Sequence, residues 1–216
     1  KNMERKYLPY TEIDTSVIQN INFNEVSSSS VNGIGISDYE IGQYLVSWKL
    51  FNVYMGNREY FTDRNSPSLL DTDYCAALGV NWLGATEFCL RKSYKSPDIT
   101  EEQRSKIAEL LEATKGRYAQ KNRAYISRPY ISAMLEYNKY ALSEDGKGLW
   151  RLPTKTELIH FMKSKRKTEP PVQSKYLSLL QEYGTEVNSV EAIKLSEWCS
   201  DNIYGKTREK YIIQNY

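Results

Sequence analysis

DYEIGQYLVSWKLFNVYM, from Asp38 to Met55, reads as a strand that passes directly into a helix. Tyr39 to Val46 is the strand, with Ile41 and the β-branched Val46 suited to a pleated surface and Gly42 marking a bulge. Ser47 caps the helix, and Trp48, Phe51, Tyr54 and Met55 fall on one face at i, i+3, i+6 and i+7. GVNWLGATEFC, from Gly79 to Cys89, repeats the plan, with Asn81 as the cap and Trp82, Ala85, Phe88 and Cys89 on one face. Two helices of this design each need an apolar partner.

Two later blocks complete the pattern. WRLPTKTEL runs from Trp150 to Leu158. Pro153 stops the extended entry, Thr154 caps, and Glu157 at the third helical position completes a capping box. The helix continues through Leu158, Ile159, Phe161 and Met162 to Lys163, Lys165, Arg166 and Lys167, a favourable charge for a helix C-terminus. A solvated last turn accounts for that basic cluster better than a phosphate-binding patch. LSEWCSD, from Leu195 to Asp201, is a turn between two short strands, the last of them at Tyr211 to Gln214.

In their order and spacing these four blocks resemble the signature of the formylglycine-generating-enzyme-like family, the sulfatase-modifying-factor branch of the C-type-lectin-like folds. That signature runs I-G-x-Y-x-V-T, V-x-W-x-x-A-x-x-[FY]-C, R-L-P-T-E-A-E-W and E-W-C-x-D. The resemblance covers residues 38 to 96 and 148 to 216, about three-fifths of the chain. It implies an α+β fold: one domain over residues 1–216, with helices packed on a small, mainly antiparallel twisted sheet. Trp48, Phe51, Trp82, Phe88, Leu152 and Trp198 would share its core.

The remaining segments are read around that frame. Residues 1 to 36 are extended or irregular, a leading strand pair closed by an exposed serine loop at Ser27 to Ser30. Thr100-Glu101-Glu102-Gln103 is a capping box that opens a long helix with Ile107, Leu110, Leu111, Thr114 and Tyr118 down one side. Pro129 opens another, ending near Leu142, and Ser174 to Tyr183 is a short one. The family signature requires neither of the two middle helices, so residues 97–142 read as a helical insertion. Its helices would pack on each other through the leucines and leave Tyr125, Tyr130, Tyr137 and Tyr140 partly exposed as a binding surface.

Composition narrows the function. The 29 Lys and Arg against 27 Asp and Glu leave a formal charge of +2, which gives no reason to expect nucleic acid or an anionic membrane as partner. The mean hydropathy is −0.62 and no apolar run approaches the length of a membrane span. Eighteen tyrosines are many for this length; core and sheet-face roles cover most of them, and recognition is the other use of such residues. Three cysteines, Cys75, Cys89 and Cys199, show neither metal-ligand spacing nor a paired framework. The lone His160, beside Phe161 on a helix, reads as a structural histidine.

The same inventory bears on catalysis. Copper-dependent oxidases of the family use two cysteines near the C-terminus, after a Gly-Gly-Ser-Trp strand. This chain has no such strand and no cysteine after Cys199, so a soft Cu(I) site has no thiolates to use. The iron-dependent relatives need several histidines, and one is present. Hydrolase, P-loop and zincin motifs are missing. Asp201, Asn202 and the distant Asn188 offer calcium fewer oxygens than the six or more it takes.

The expectation is therefore a non-catalytic binding or assembly domain with a protein partner, no cofactor and no metal. Divergent members of the family occur as bacterial cell-envelope lipoproteins and as ligand-binding proteins, which implies a periplasmic or outer-membrane-anchored location and a lipid anchor upstream. An enzyme with a novel site on the same scaffold, or a ligand-binding lectin-like receptor, is the alternative. The opening Lys1-Asn2-Met3, without an initiator Met or an apolar leader, reads as a mature or trimmed product.

Overall fold

The computed structural model describes residues 13–15, 23–31, 33–42, 46, 48–56, 77, 80–114, 119–120, 123–124, 128–165, 195–197, 199–200 and 211–213. Their class is α+β. Strands β1 (Phe23–Val26), β2 (Ser29–Val31), β3 (Ile34–Ile36) and β4 (Tyr39–Gly42) precede helices α1 (Trp48–Met55), α2 (Trp82–Tyr94) and α3 (Glu101–Thr114). The short strands β5 (Ala119–Gln120) and β6 (Arg123–Ala124) then lead to α4 (Arg128–Ala141), α5 (Lys155–Lys165), β7 (Leu195–Glu197) and β8 (Tyr211–Ile213). All described pairings are antiparallel and two-stranded: β1 with β4, β2 with β3, β5 with β6 and β7 with β8.

These elements fall into two compact units. One holds α1 to α4 with β5 and β6; the other holds β1 to β4, α5, β7 and β8. The two helices expected to share a core, α1 and α2, lie in the same unit and pack on each other.

Sequence chemistry explains the helix starts. Asn81 sits in extended backbone and its Oδ1 accepts from the Gly84 N–H at 2.8 Å, relieving one of the unpaired amides of the first turn of α2. Thr100 and Gln103 close a reciprocal box: the Gln103 amide donates to Thr100 Oγ1 at 3.1 Å, and the Thr100 amide donates to Gln103 Oε1 at 3.0 Å. Thr154 and Glu157 do the same for α5, at 3.2 and 2.7 Å. Gln103 has a second task, because its Nε2 donates to the carbonyls of Asp145 and Lys147 and so holds the turn that follows α4. Gly146 in that turn is obligatory: a Cβ there would lie 2.1 Å from the Tyr140 carbonyl oxygen.

The helical unit has α2 at its centre. Phe51, Tyr54 and Met55 of α1 are buried, and the Phe51 and Phe88 rings stack at 5.7 Å while Tyr54 meets Phe88 edge-on at 5.4 Å. On other sides α2 meets α3 and α4, which supply buried Ile107, Leu110, Leu111, Tyr130, Ala133, Met134, Tyr137 and Ala141. As expected, α3 and α4 pack together over their apolar residues, with Lys106 bridging to Glu136 at the rim. They also pack on α2, so the described helices of the 97–142 segment contribute to this unit's core. The physical reason is that α2 is buried around most of its circumference, and an apolar neighbour is needed on every face.

Smaller differences have local causes. Ser29 and Ser30, expected in a loop, form β2 and remain exposed; Gly33 at φ +78° turns the chain so that β3 can pair with them. The strand expected to reach Val46 is described only to Gly42. Leu152, expected in the core, is half-buried along an extended strip whose residues from Trp150 to Thr154 are all half-buried. The side chain of Trp48, all of Trp198, Ser47, Tyr118 and the expected helix at 174–183 lie outside the described residues.

Candidate functional site

The densest polar chemistry lies inside the helical unit, around the second half of α2. Glu87, Cys89, Arg91, Lys92 and Ser93 are all buried there, an uncommon load of polar side chains for a central helix. Helical spacing divides them into two groups that serve different neighbours.

The first group is a clamp. Glu87 and Arg91, one turn apart, form an ion pair with Arg91 Nε 2.8 Å from Glu87 Oε1, and both side chains are fully buried. The second carboxylate oxygen accepts from the Tyr130 hydroxyl of α4 at 2.7 Å. Arg91 Nη1 donates to the Tyr54 carbonyl in the last turn of α1 at 3.0 Å. A cation at that position answers both an orphan carbonyl and the negative end of the α1 dipole. Burying two charges is costly, and the arrangement is tolerable because each is hydrogen-bonded to a further element. The clamp thus ties three helices, and each Glu87 oxygen already has a donor.

The second group faces the chain after α4. The Trp150 amide donates to Ser93 Oγ at 2.8 Å, and the Tyr137 hydroxyl donates to the Trp150 carbonyl. With that proton spent, the Ser93 hydroxyl donates to the Tyr137 oxygen at 2.8 Å. The Lys92 ammonium lies 4.1 Å from the centre of the Trp150 ring and 5.2 Å from that of Tyr54, a cation between two aromatic faces. Burial lowers the Lys92 pKa to about 8, an effect partly opposed by the Cys89 thiolate that would form beside it. Burial pushes the Cys89 thiol up to about 12, against the pull of Lys92 and Arg151, so at neutral pH it is protonated and a poor nucleophile. Tyr137 is likewise held well above its ordinary value by burial.

In chemical terms the cluster is better built to hold than to react. Its carboxylate is engaged by two donors, its thiol is protonated, and Lys92 is the member that titrates nearest neutrality. Among the described residues no group of three or more His, Cys, Asp and Glu side chains is placed to hold a metal ion.

The expected tyrosine surface is corrected in two of its four members. Tyr130 and Tyr137 are each 1 % exposed, and their hydroxyls are committed to Glu87 and to Trp150. Their rings fill the space between α4 and α2, so neither can meet a partner. Tyr140 is half-buried and Tyr125 lies outside the described residues. The clamp itself was missed at the sequence level. Its only signal was the i, i+4 pair Glu87 and Arg91, which on most helices marks a solvated face.

The third block from Pro153 onward meets the fourth in the other unit. The Ser200 amide donates to the Pro153 carbonyl at 2.8 Å, and the Ser200 hydroxyl reaches the same oxygen at 3.3 Å. Cys199 and Ser200 are buried beside them. The first block joins through Tyr39, whose hydroxyl donates to the Glu157 carbonyl at 2.7 Å. His160 of α5 has a buried Nδ1 with no hydrogen-bond partner among the described residues.

The chain matches no family model, and neither a curated protein nor a solved structure matches it.

Proposed function

We propose that this chain is a divergent, non-catalytic member of the formylglycine-generating-enzyme-like family, a C-type-lectin-like scaffold used for protein binding or assembly in a bacterial cell envelope. The observation that carries the reading is the meeting of three sequence blocks far apart in the chain. Tyr39 bonds to the backbone of Glu157, and Ser200 to that of Pro153, so the strand of the first block, the helix start of the third and the turn of the fourth share one unit, while α1 and the second block belong to the other. Spaced motifs held together in this way are what a common scaffold requires.

The assignment of a binding role draws on the engaged Glu87 carboxylate and the protonated Cys89 thiol of the helical unit and on the missing oxidase cysteines. With Tyr130 and Tyr137 withdrawn into the core, the partner surface moves to the outer side of α4 and its end. There Tyr140 is half-buried, and Leu142 is 42 % exposed, one of the two large apolar side chains most open to water among the described residues. No described helix is long and apolar enough to cross a membrane.

The test has two arms. Incubation with a cysteine-containing sulfatase peptide, followed by mass spectrometry, should give no formylglycine; its appearance overturns the non-catalytic reading. A Tyr140→Ser, Leu142→Asp double variant with an unchanged circular dichroism spectrum should lose partner capture from native envelope extract, and unimpaired capture removes this surface from the proposal.

A further inference from the structure

Val31 and Ile34 pair across the β2–β3 hairpin, so the turn is the dipeptide between them, Asn32-Gly33. No other asparagine of the chain is followed by glycine. Asn32 lies outside the described residues, but its bond to Gly33 is covalent, and Gly33 has the geometry that matters. It is exposed at φ +78°, and a Cβ added to it would meet nothing within 4 Å. Its amide makes no hydrogen bond to another described residue. A free amide with no side chain to obstruct it is well placed to attack the side chain of the residue before it.

We propose that Asn32 is a self-modifying site, at which the Gly33 amide displaces the side-chain nitrogen as ammonia and the tip of the hairpin becomes a mixture of aspartate and isoaspartate.

The reaction needs only base and water. The Gly33 amide gives its proton to hydroxide, and its nitrogen bonds to Asn32 Cγ. The Cγ–Nδ2 bond breaks, and that nitrogen leaves as ammonia after taking a proton from water, which returns the hydroxide. A cyclic imide remains, and water opens it at either carbonyl. Cleavage of the new Cγ–N bond gives aspartate in an ordinary chain. Cleavage of the original main-chain bond gives isoaspartate, whose chain runs through Cγ. The net change consumes a water and releases an ammonia, with no oxidation.

Isoaspartate adds a carbon to the main chain of a two-residue turn, and the length of such a turn sets the pairing of its strands. The Val31–Ile34 pair therefore loses its register. The change stays local, because Ile34 is 57 % exposed and burial does not hold the tip. Ile36, only 7 % exposed, anchors the other end of β3, which packs on α5. At the base the Ser28 amide donates to the Asp38 carboxylate. No charged residue lies between Ser27 and Ser37, so either product also brings this stretch its first charge.

Peptide mapping by mass spectrometry tests this on the intact chain, incubated in mildly alkaline and in mildly acidic buffer. The peptide that contains Asn32 should gain the mass of an acid over an amide, severalfold faster in the alkaline buffer. It should also convert severalfold faster than the peptides of Asn65 and Asn188, each of which precedes a serine. A protein isoaspartate methyltransferase should label the Asn32 peptide first, and Gly33→Ala should slow both readings severalfold. In the labelled protein, hydrogen exchange of the Ile34 amide should quicken while that of the Ser28 amide does not. Conversion of Asn32 in urea but not in the folded chain overturns the proposal, because the hairpin would then protect the site. Conversion without the isoaspartate label overturns it too, as does labelled protein whose Ile34 amide exchanges as before. The comparison of folded and urea-treated wild type decides the matter even if Gly33→Ala fails to fold.

Discussion

The Tyr130 hydroxyl donates to Glu87 Oε2 over 2.7 Å between two helices, and both residues are almost wholly shielded from water. This bond makes the Glu87–Arg91 pair a three-helix clamp rather than a local pair on α2. Its loss should be felt as an exposed weakness. Tyr130→Phe keeps the ring and removes one donor, and should cost about 1 to 3 kcal/mol in urea unfolding.

Glu87→Gln leaves Arg91 buried without its counter-ion and should cost about 3 to 5 kcal/mol. The double change Glu87→Leu, Arg91→Met removes both charges together and should cost less than the sum of the two single changes. Additive costs in a double-mutant cycle would show that the two side chains do not act as a pair.

Removing residues 98–142 and joining the ends with a Gly-Ser linker should abolish cooperative unfolding of the helical unit. Tyr130, Met134 and Tyr137 alone cover α2 with three large side chains, each worth about 1.5 to 3 kcal/mol of burial. Near-ultraviolet circular dichroism checks this: a retained native spectrum would show that α3 and α4 are dispensable.

Each capping box should show its worth separately. Thr100→Ala and Thr154→Ala remove the hydroxyl that accepts the Gln103 and Glu157 amides, and each should cost about 1 kcal/mol. Thr100→Asp should recover most of the loss, because a carboxylate caps the same amide.

Stability should respond to alkaline pH in three steps. Lys92 has a lowered pKa in the fold, so between about 8 and its ordinary 10.5 the unfolded chain binds the extra proton and stability rises with pH. Cys89 is raised from 9.0 to about 12, so above 9 the folded chain holds the extra proton and stability falls. Stability should therefore climb from pH 8 to 9, level off to about 10, and fall beyond it as Tyr54 and Tyr137, also raised, add to the loss. Melting temperatures at fixed ionic strength test the shape, and Lys92→Met should erase the climb. In the native protein at pH 8 Cys89 should resist a thiol reagent that labels it promptly in urea.

Local structure was legible wherever a few neighbouring residues decide it. Asn81, Thr100 and Thr154 announce their helices because a short polar side chain satisfies amides two or three positions on, a need that exists before any tertiary contact forms. The apolar spacing of Phe51, Tyr54 and Met55, and of Ile107, Leu110 and Leu111, likewise marked the faces that are buried.

The tertiary structure alone decided what α2 is. Glu87, Arg91, Lys92 and Ser93 look like solvated positions, because a sequence reports polarity and not the distance to a second helix. Their burial depends on Tyr130, Tyr137 and Trp150, between 43 and 58 residues further along, arriving with the hydroxyls, carbonyls and ring faces that make such burial tolerable. The same closure turned two expected contact tyrosines into core. Tyrosine carries an apolar ring and a polar tip, and which of the two it spends, and on what, is set by the neighbours that folding brings to it.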